Sequence, residues 1–174
     1  MPKTKTIDQR DDYYFNRVKE HGASYPQFHW PSLEIYLNLI YTFDIITSHM
    51  ATQTDPYGIT RAGFGVLMIL SRSPHKSCKQ NEISQLLLVS RANITGLVDS
   101  LVRQELVERT SDPNDRRVNQ VKILPKGEKL LEGLLPDYYK HVQNIFSVFT
   151  VNEKKTFNDL LTRLRNRTNE IKNS

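Results

Sequence analysis

The side chains best suited to chemistry lie between Ser90 and Gly127, and their chemistry is recognition rather than bond making. Ile94, Leu97, Val98, Leu101 and Val102 recur at the i, i+3, i+4, i+7, i+8 spacing that gathers apolar groups on one face of a helix. The opposite face carries Ala92, Asn93, Gly96 and Ser100, flanked by Thr95 and Asp99. Groups this small and polar let another surface come close while still offering donors and acceptors. Ser90 precedes the helix with a side-chain oxygen able to accept from the free amides of its first turn. Downstream, Leu106 to Thr110 and Val118 to Leu124 are β-prone runs separated by SDPND, whose Asp, Asn and Pro suit a turn. Arg116 and Arg117 stand side by side at the tip, next to Asn114 and Asp115.

These parts follow the order of a winged helix-turn-helix, so the expected fold is mainly α with a small β-wing. In that layout the helix fills a major groove of double-stranded DNA, and the hairpin reaches a neighbouring minor groove or the phosphates. The segment also resembles the MarR-type transcriptional regulators. SRANITGLVDSL, then LVER, then DPNDRR and the strand leading to Leu124 and Gly127 match that family's most recognisable run, over about Thr60 to Gly127. The resemblance implies that Ser90, Arg91, Ala92, Asn93, Thr95 and Gly96 meet the major groove, and that Asn114, Arg116 and Arg117 touch DNA from the wing. It further implies that Arg117 enters the minor groove, oriented by Asp99 and Asp115. Three positions depart from the family's pattern. Glu105 stands where a Gly usually ends the recognition helix, Pro125 replaces the usual Thr before Gly127, and Lys79 occupies a place where a Thr often begins the preceding helix.

Composition agrees with this reading. The 174 residues, 38% of them hydrophobic, suffice for one ordinary domain or two small ones sharing a core. No run approaches the roughly 18 apolar residues of a membrane span. The start, MPKTKTIDQR, lacks the apolar stretch of a secretory signal. The single cysteine, Cys78, leaves no internal disulfide and fits a reducing cytoplasm. Net charge is +5 and the isoelectric point near 9.3, but the excess is local. Residues 61–127 hold 11 basic and 6 acidic side chains, whereas residues 1–60 hold 5 and 7. Positive charge therefore concentrates where phosphate contact requires it.

Taken in order, the chain divides into three parts. Residues 1–58 hold a short helix over Tyr13 to His21 and, after Pro31, a long one through Leu33, Tyr36, Leu37, Ile40, Tyr41, Phe43 and Ile46. So broad an apolar surface points to an oligomer interface, with a central core helix as the alternative. Residues 59–126 form the winged lobe, with Thr60 capping a helix that carries Phe64 and Leu67, and a short helix over 80–87 leading to Ser90. Residues 127–174 complete a long helix containing Pro136, which predicts a kink, and a last helix opened by the capping box Thr150-Val-Asn-Glu153. The N- and C-terminal helices are expected to pair two copies into a homodimer.

Enzyme motifs do not hold up. Ser73-Pro-His-Lys76 fits an S-x-x-K string, but the companion motifs are absent and Pro74 makes a turn. Gly63-Phe-Gly65 lies inside a predicted helix, without phosphate-loop context. His21, His29, His49, His75 and His141 show no metal-ligand spacing, so neither metal nor cofactor is expected. The family resemblance implies a repressor on a pseudo-palindromic operator, released by a small aromatic or phenolic ligand near the lobe junction. His29, Trp30, Tyr36 and Phe64 are the candidates to line that site. Two alternatives stand beside this reading: a redox switch through Cys78, and a winged-helix adaptor that binds protein instead of DNA.

Overall fold

The computed structural model describes residues 9–111 and 119–173. The chain divides into two compact units, Met1–His49 and Met50–Ser174. In the first, helix α1 (Gln9–Asp12) runs through a π-helical stretch (Tyr13–Arg17) into α2 (Val18–Gly22). The helix expected over Tyr13 to His21 is thus longer at its start and carries an extra residue per turn in its middle. Helix α3 (Trp30–Ala51) follows. Phe15 and Phe28 set their rings 6.4 and 6.3 Å from that of Trp30, and Tyr14 lies 6.3 Å from Tyr41. Ile35, Tyr36, Ile40, Phe43 and Ile45 remain exposed on α3.

The second unit contains α4 (Arg61–Arg72), β1 (Ser77–Lys79), α5 (Gln80–Leu87), α6 (Arg91–Arg103), β2 (Val107–Ser111), β3 (Asn119–Ile123), α7 (Pro125–Ile145) and α8 (Val151–Asn173). The strands form an antiparallel sheet in the order β1-β3-β2, with Val107 opposite Ile123 and Cys78 opposite Val121. Helices α4 to α7 and the sheet bring apolar faces to a single core, to which α8 adds no residue. Phe64, Val66, Leu67 and Leu70 come from α4, Ile83 from α5, Ile94, Val98 and Leu101 from α6, Val121 and Ile123 from β3, and Leu131 and Leu134 from α7. Two expected caps are present: Thr60 Oγ1 accepts from the Gly63 amide at 3.0 Å, and Ser90 Oγ from the Asn93 amide at 3.2 Å. Helix α7 continues through Pro136 to Ile145.

Before α8 the capping box closes reciprocally. The Thr150 amide donates to Glu153 Oε2 at 2.8 Å, and the Glu153 amide donates back to Thr150 Oγ1 at 3.3 Å. The Thr150 amide, followed by its hydroxyl, holds the Glu153 carboxyl below the ordinary carboxylate range.

Helices α5 and α6 end alike. The Val89 amide reaches back to the Ser84 carbonyl at 3.0 Å and the Leu88 amide to Gln85 at 3.2 Å. One helix later, the Leu106 amide reaches Leu101 at 3.0 Å and the Glu105 amide Val102 at 2.9 Å. This double pattern is a Schellman motif, and its pivot must be left-handed. The pivots here are Leu88 (φ 54°) and Glu105 (φ 58°) rather than glycine. The departure at Glu105 noted from sequence is therefore a conformational one. Gly127 has a different reason to be glycine. A Cβ there would stand 2.4 Å from the Leu106 carbonyl oxygen and 2.9 Å from Ile123 Cγ1.

Two substitutions should therefore move stability in opposite directions. Gly127→Ala forces backbone apart at the sheet–helix joint and should lower the unfolding free energy by about 1–3 kcal/mol. Glu105→Gly relieves a left-handed side-chain clash of about 1–2 kcal/mol, partly offset by glycine's greater unfolded-state freedom, for a gain of up to about 1 kcal/mol. Urea denaturation of both variants checks the pair, and a Glu105→Gly protein less stable than the parent would contradict the second assignment.

Candidate nucleic-acid interface

Helix α6 is held from one side and bare on the other. Ile94, Val98 and Leu101 are buried, while Leu97 and Val102 are half-buried against the same core. Ser90, Arg91, Ala92, Asn93, Thr95 and Gly96 are all exposed. The face predicted to meet a partner is thus a real outer face. Gly96 is informative within it, because a Cβ added there meets nothing within 4 Å. A helix-interior glycine lowers stability by roughly 0.5–1 kcal/mol relative to alanine, and nothing in the packing of the described residues calls for one.

Two hydrogen-bonded links fix the outer face against its neighbours. Gln80, at the start of α5, donates from Nε2 to Thr95 Oγ1 at 2.9 Å, and the Thr95 hydroxyl donates to the Arg91 carbonyl at 3.0 Å. Arg109 on β2 donates to Asp99 Oδ1 at 2.5 Å and reaches the Thr95 carbonyl at 3.5 Å. Neither Gln80 nor Arg109 was picked out from sequence. Arg109 lies in the LVER string, but spacing does not say which wing arginine faces Asp99. The described partner of Asp99 is Arg109. Asn114, Asp115, Arg116 and Arg117 lie outside the described residues, so the pairing of Asp99 with Arg117 rests on the family resemblance. The flanks of the wing, β2 and β3, stand where the two β-prone runs placed them, and the sheet gains β1, which the sequence reading lacked.

The MarR family profile matches residues 57–118. The chain is 31% identical over 106 residues to the uncharacterised HTH-type transcriptional regulator YpoP of Bacillus subtilis, a match covering 61% of this chain and 74% of that protein. The chain belongs to the MarR family. A second relative is the HTH-type transcriptional regulator MhqR of Bacillus subtilis, 29% identical over 133 residues, covering 76% of this chain and 90% of that one. The fold matches the crystal structure of Sco3205, a MarR family transcriptional regulator from Streptomyces coelicolor, in complex with DNA. That match has a TM-score of 0.75 at 18% identity and covers 82% of this chain and 91% of that one. This MarR-family chain is accordingly a transcriptional regulator and not an enzyme.

The four residues proposed to line a ligand site have other surroundings. Phe64 is a core residue, 5% exposed, with the Tyr138 ring 4.8 Å away. It is spaced as an inward position of α4 and serves as one. His29 sits at the start of α3, where its Nδ1 and Ser32 Oγ share a 2.8 Å hydrogen bond and its carbonyl accepts the Ser32 and Leu33 amides. Trp30 packs with Phe15 and Phe28, and Tyr36 is 59% exposed. His29, Trp30 and Tyr36 belong to the first unit and Phe64 to the second.

Cys78 is half-buried on β1, and its thiol donates to Glu82 Oε2 at 3.3 Å. Burial, then the Glu82 carboxylate, pushes its pKa above the ordinary thiol value. A thiol so shifted is poor in thiolate at neutral pH, the opposite of a sensing cysteine. Iodoacetamide should therefore alkylate Cys78 in the folded protein more slowly at pH 7 than in the unfolded chain, and Glu82→Gln should speed the reaction. Mass spectrometry of timed samples checks both, and folded Cys78 reacting faster than unfolded would revive the redox reading.

Proposed function

We propose that this MarR-family regulator binds a pseudo-palindromic operator in double-stranded DNA as a cytoplasmic homodimer. It acts as a repressor, with α6 of each copy in a major groove. The observation that carries this reading is the outer face of α6, above all Gly96. A glycine that the packing of the described residues does not need, on a helix whose other face is turned to the core, is what close approach of a groove requires. Ser90, Arg91, Ala92, Asn93 and Thr95 surround it, and the excess of basic residues over 61–127 supplies attraction for phosphates. In this reading Arg116, Arg117 and Asn114 complete the contact from the wing. Asp99 steadies the wing's base through Arg109, with Asp115 orienting Arg117 at the tip. Residues 59–126 form the DNA-binding lobe.

The flanking parts, 1–58 and 127–174, are assigned to dimerisation. Exposed apolar groups on α3 and on α8, where Phe157, Leu160, Leu164 and Ile171 lie open, support that role. A two-fold dimer sets its recognition helices about 34–36 Å apart for half-sites one DNA turn apart, so a ligand that changes this spacing releases the operator. Among the described residues, no helix is long and apolar enough to cross a membrane.

Operator binding should weaken steeply with salt, the logarithm of affinity falling linearly with that of salt concentration. Gly96→Ala should raise the melting temperature yet reduce affinity for operator selected from random duplexes. Fluorescence anisotropy across a salt series and a thermal melt measure the two halves, and undiminished affinity in Gly96→Ala would sink the groove assignment. A flat salt response would instead favour the protein adaptor.

Dimerisation has its own test. A chain ending at Thr150 lacks α8 and should run as a monomer in multi-angle light scattering at concentrations where the full chain is a dimer. A persistent dimer would place the interface elsewhere.

A further inference from the structure

Thr95 lies on the exposed face of α6, yet its hydroxyl is already engaged within the fold. Oγ1 donates to the Arg91 carbonyl at 3.0 Å, a back-bond that fixes one of threonine's two helical rotamers. Gln80 Nε2, reaching across from the start of α5, donates to the same oxygen at 2.9 Å. A hydroxyl has one proton and two lone pairs, so Thr95 still offers one lone pair and a methyl group. Turning the Gln80 amide over does not change the outcome. Its Oε1, buried without a hydrogen-bond partner among the described residues, would then face Thr95 and take the proton itself. In either arrangement the proton is used inside the fold, and the hydroxyl can only accept.

That restriction decides what Thr95 can meet. Threonine hydroxyls often bind DNA phosphates, but a phosphate oxygen only accepts, so a hydroxyl whose proton is taken makes no such bond. Base edges in the major groove differ from one another. Adenine N6 and cytosine N4 donate there, whereas guanine O6 and N7 and thymine O4 accept. We propose that Thr95, held by Gln80, reads a base as an acceptor only. It selects an amino base, adenine or cytosine, over a keto base, guanine or thymine, on the strand it faces. The proposal rests on the placement of α6 in the major groove argued above. Gln80 is a positioning residue in it, acting on the DNA through Thr95.

The experiment selects operators from random duplexes with the full-length chain and with Thr95→Val, which keeps the shape and removes the oxygen. The parent protein should show a position, repeated in both half-sites, that prefers adenine or cytosine on one strand. Thr95→Val should lose that preference and keep the others. In the selected operator, purine in place of adenine, or 2-pyrimidinone in place of cytosine, removes the amino group alone. Affinity should fall about fivefold for the parent, the worth of one neutral hydrogen bond, and no further for Thr95→Val. Gln80→Leu should weaken the preference at that same position by less than Thr95→Val, whereas a general loss of helix order would flatten every position alike. Should Thr95→Val fail to fold, Thr95→Ala replaces it in each comparison. A guanine or thymine preference at the Thr95-dependent position would overturn the proposal, thymine pointing to the methyl group instead. So would an operator whose preferences survive Thr95→Val unaltered, or a Gln80→Leu protein that reads that position as the parent does. In each of these cases α6 in the groove still stands. Failure to enrich any duplex would sink the groove reading itself, and this proposal with it.

Discussion

The winged lobe depends on the main chain of Leu106. Its amide closes the end of α6 on the Leu101 carbonyl, and its carbonyl accepts the Leu124 amide at 2.9 Å where β3 gives way to α7. The first turn of α7 then slides beneath that carbonyl, which is why Gly127 has no side chain. One peptide region therefore sets the end of the recognition helix, the base of the wing and the start of the next long helix. The Leu106 side chain, 2% exposed, anchors the junction in the core. Any shift here moves helix and wing together, so the spacing between them is a property of packing rather than of a loop.

The outer face of α6 gains its order from a second layer of contacts. Gln80 and Arg109 come from different elements and both converge on the Thr95 turn of the helix. The Thr95 hydroxyl donates to Arg91 and accepts from Gln80, so its proton and one of its two lone pairs are engaged within the fold. The pair between Asp99 and Arg109 is more than a third exposed on both sides and adds only about 0–1 kcal/mol to folding. Its value lies in direction. A guanidinium fixed across the helix–wing joint ties β2 to α6 at small energetic gain, and the bare face keeps its shape without extra bulk.

What was legible in the sequence follows from local physics. The inner face of α6 showed because five apolar residues repeat at helical spacing, and the caps at Thr60, Ser90 and Thr150 showed because each satisfies amides within three residues of itself. Strand β1 did not show, since three residues cannot display alternation and only pairing of Ser77–Lys79 with β3 makes them a strand. Arg109 was missed for a related reason: register across a sheet, not distance along the chain, brings it to Asp99. Phe64 stands in the core, and an aromatic residue at an inward helical position carries the same signal whether it lines a pocket or fills a core. The Phe28 ring crosses Gly22, a contact that no spacing rule announces.

The left-handed residues at Leu88 and Glu105 show how the lobe tolerates strain. Both are pivots of Schellman motifs, and together they bracket the recognition helix. Each carries about 1–2 kcal/mol that a glycine would largely avoid, against a total stability of about 5–15 kcal/mol for a domain. Their side chains do little to offset this. Leu88 is 93% exposed, and the Glu105 carboxylate meets Lys126 at 3.2 Å in a pair open to solvent. The backbone supplies the compensation. Each motif satisfies two carbonyls that a helix end would otherwise leave open, and each is followed by a residue, Val89 or Leu106, that packs against the core. The turn geometry is thus imposed from the core outward, and the pivot side chain is tolerated rather than selected by local propensity. Because both ends of α6 are held this way, its position is set by burial of Val89, Ile94, Val98, Leu101 and Leu106, and the outward residues remain available for recognition.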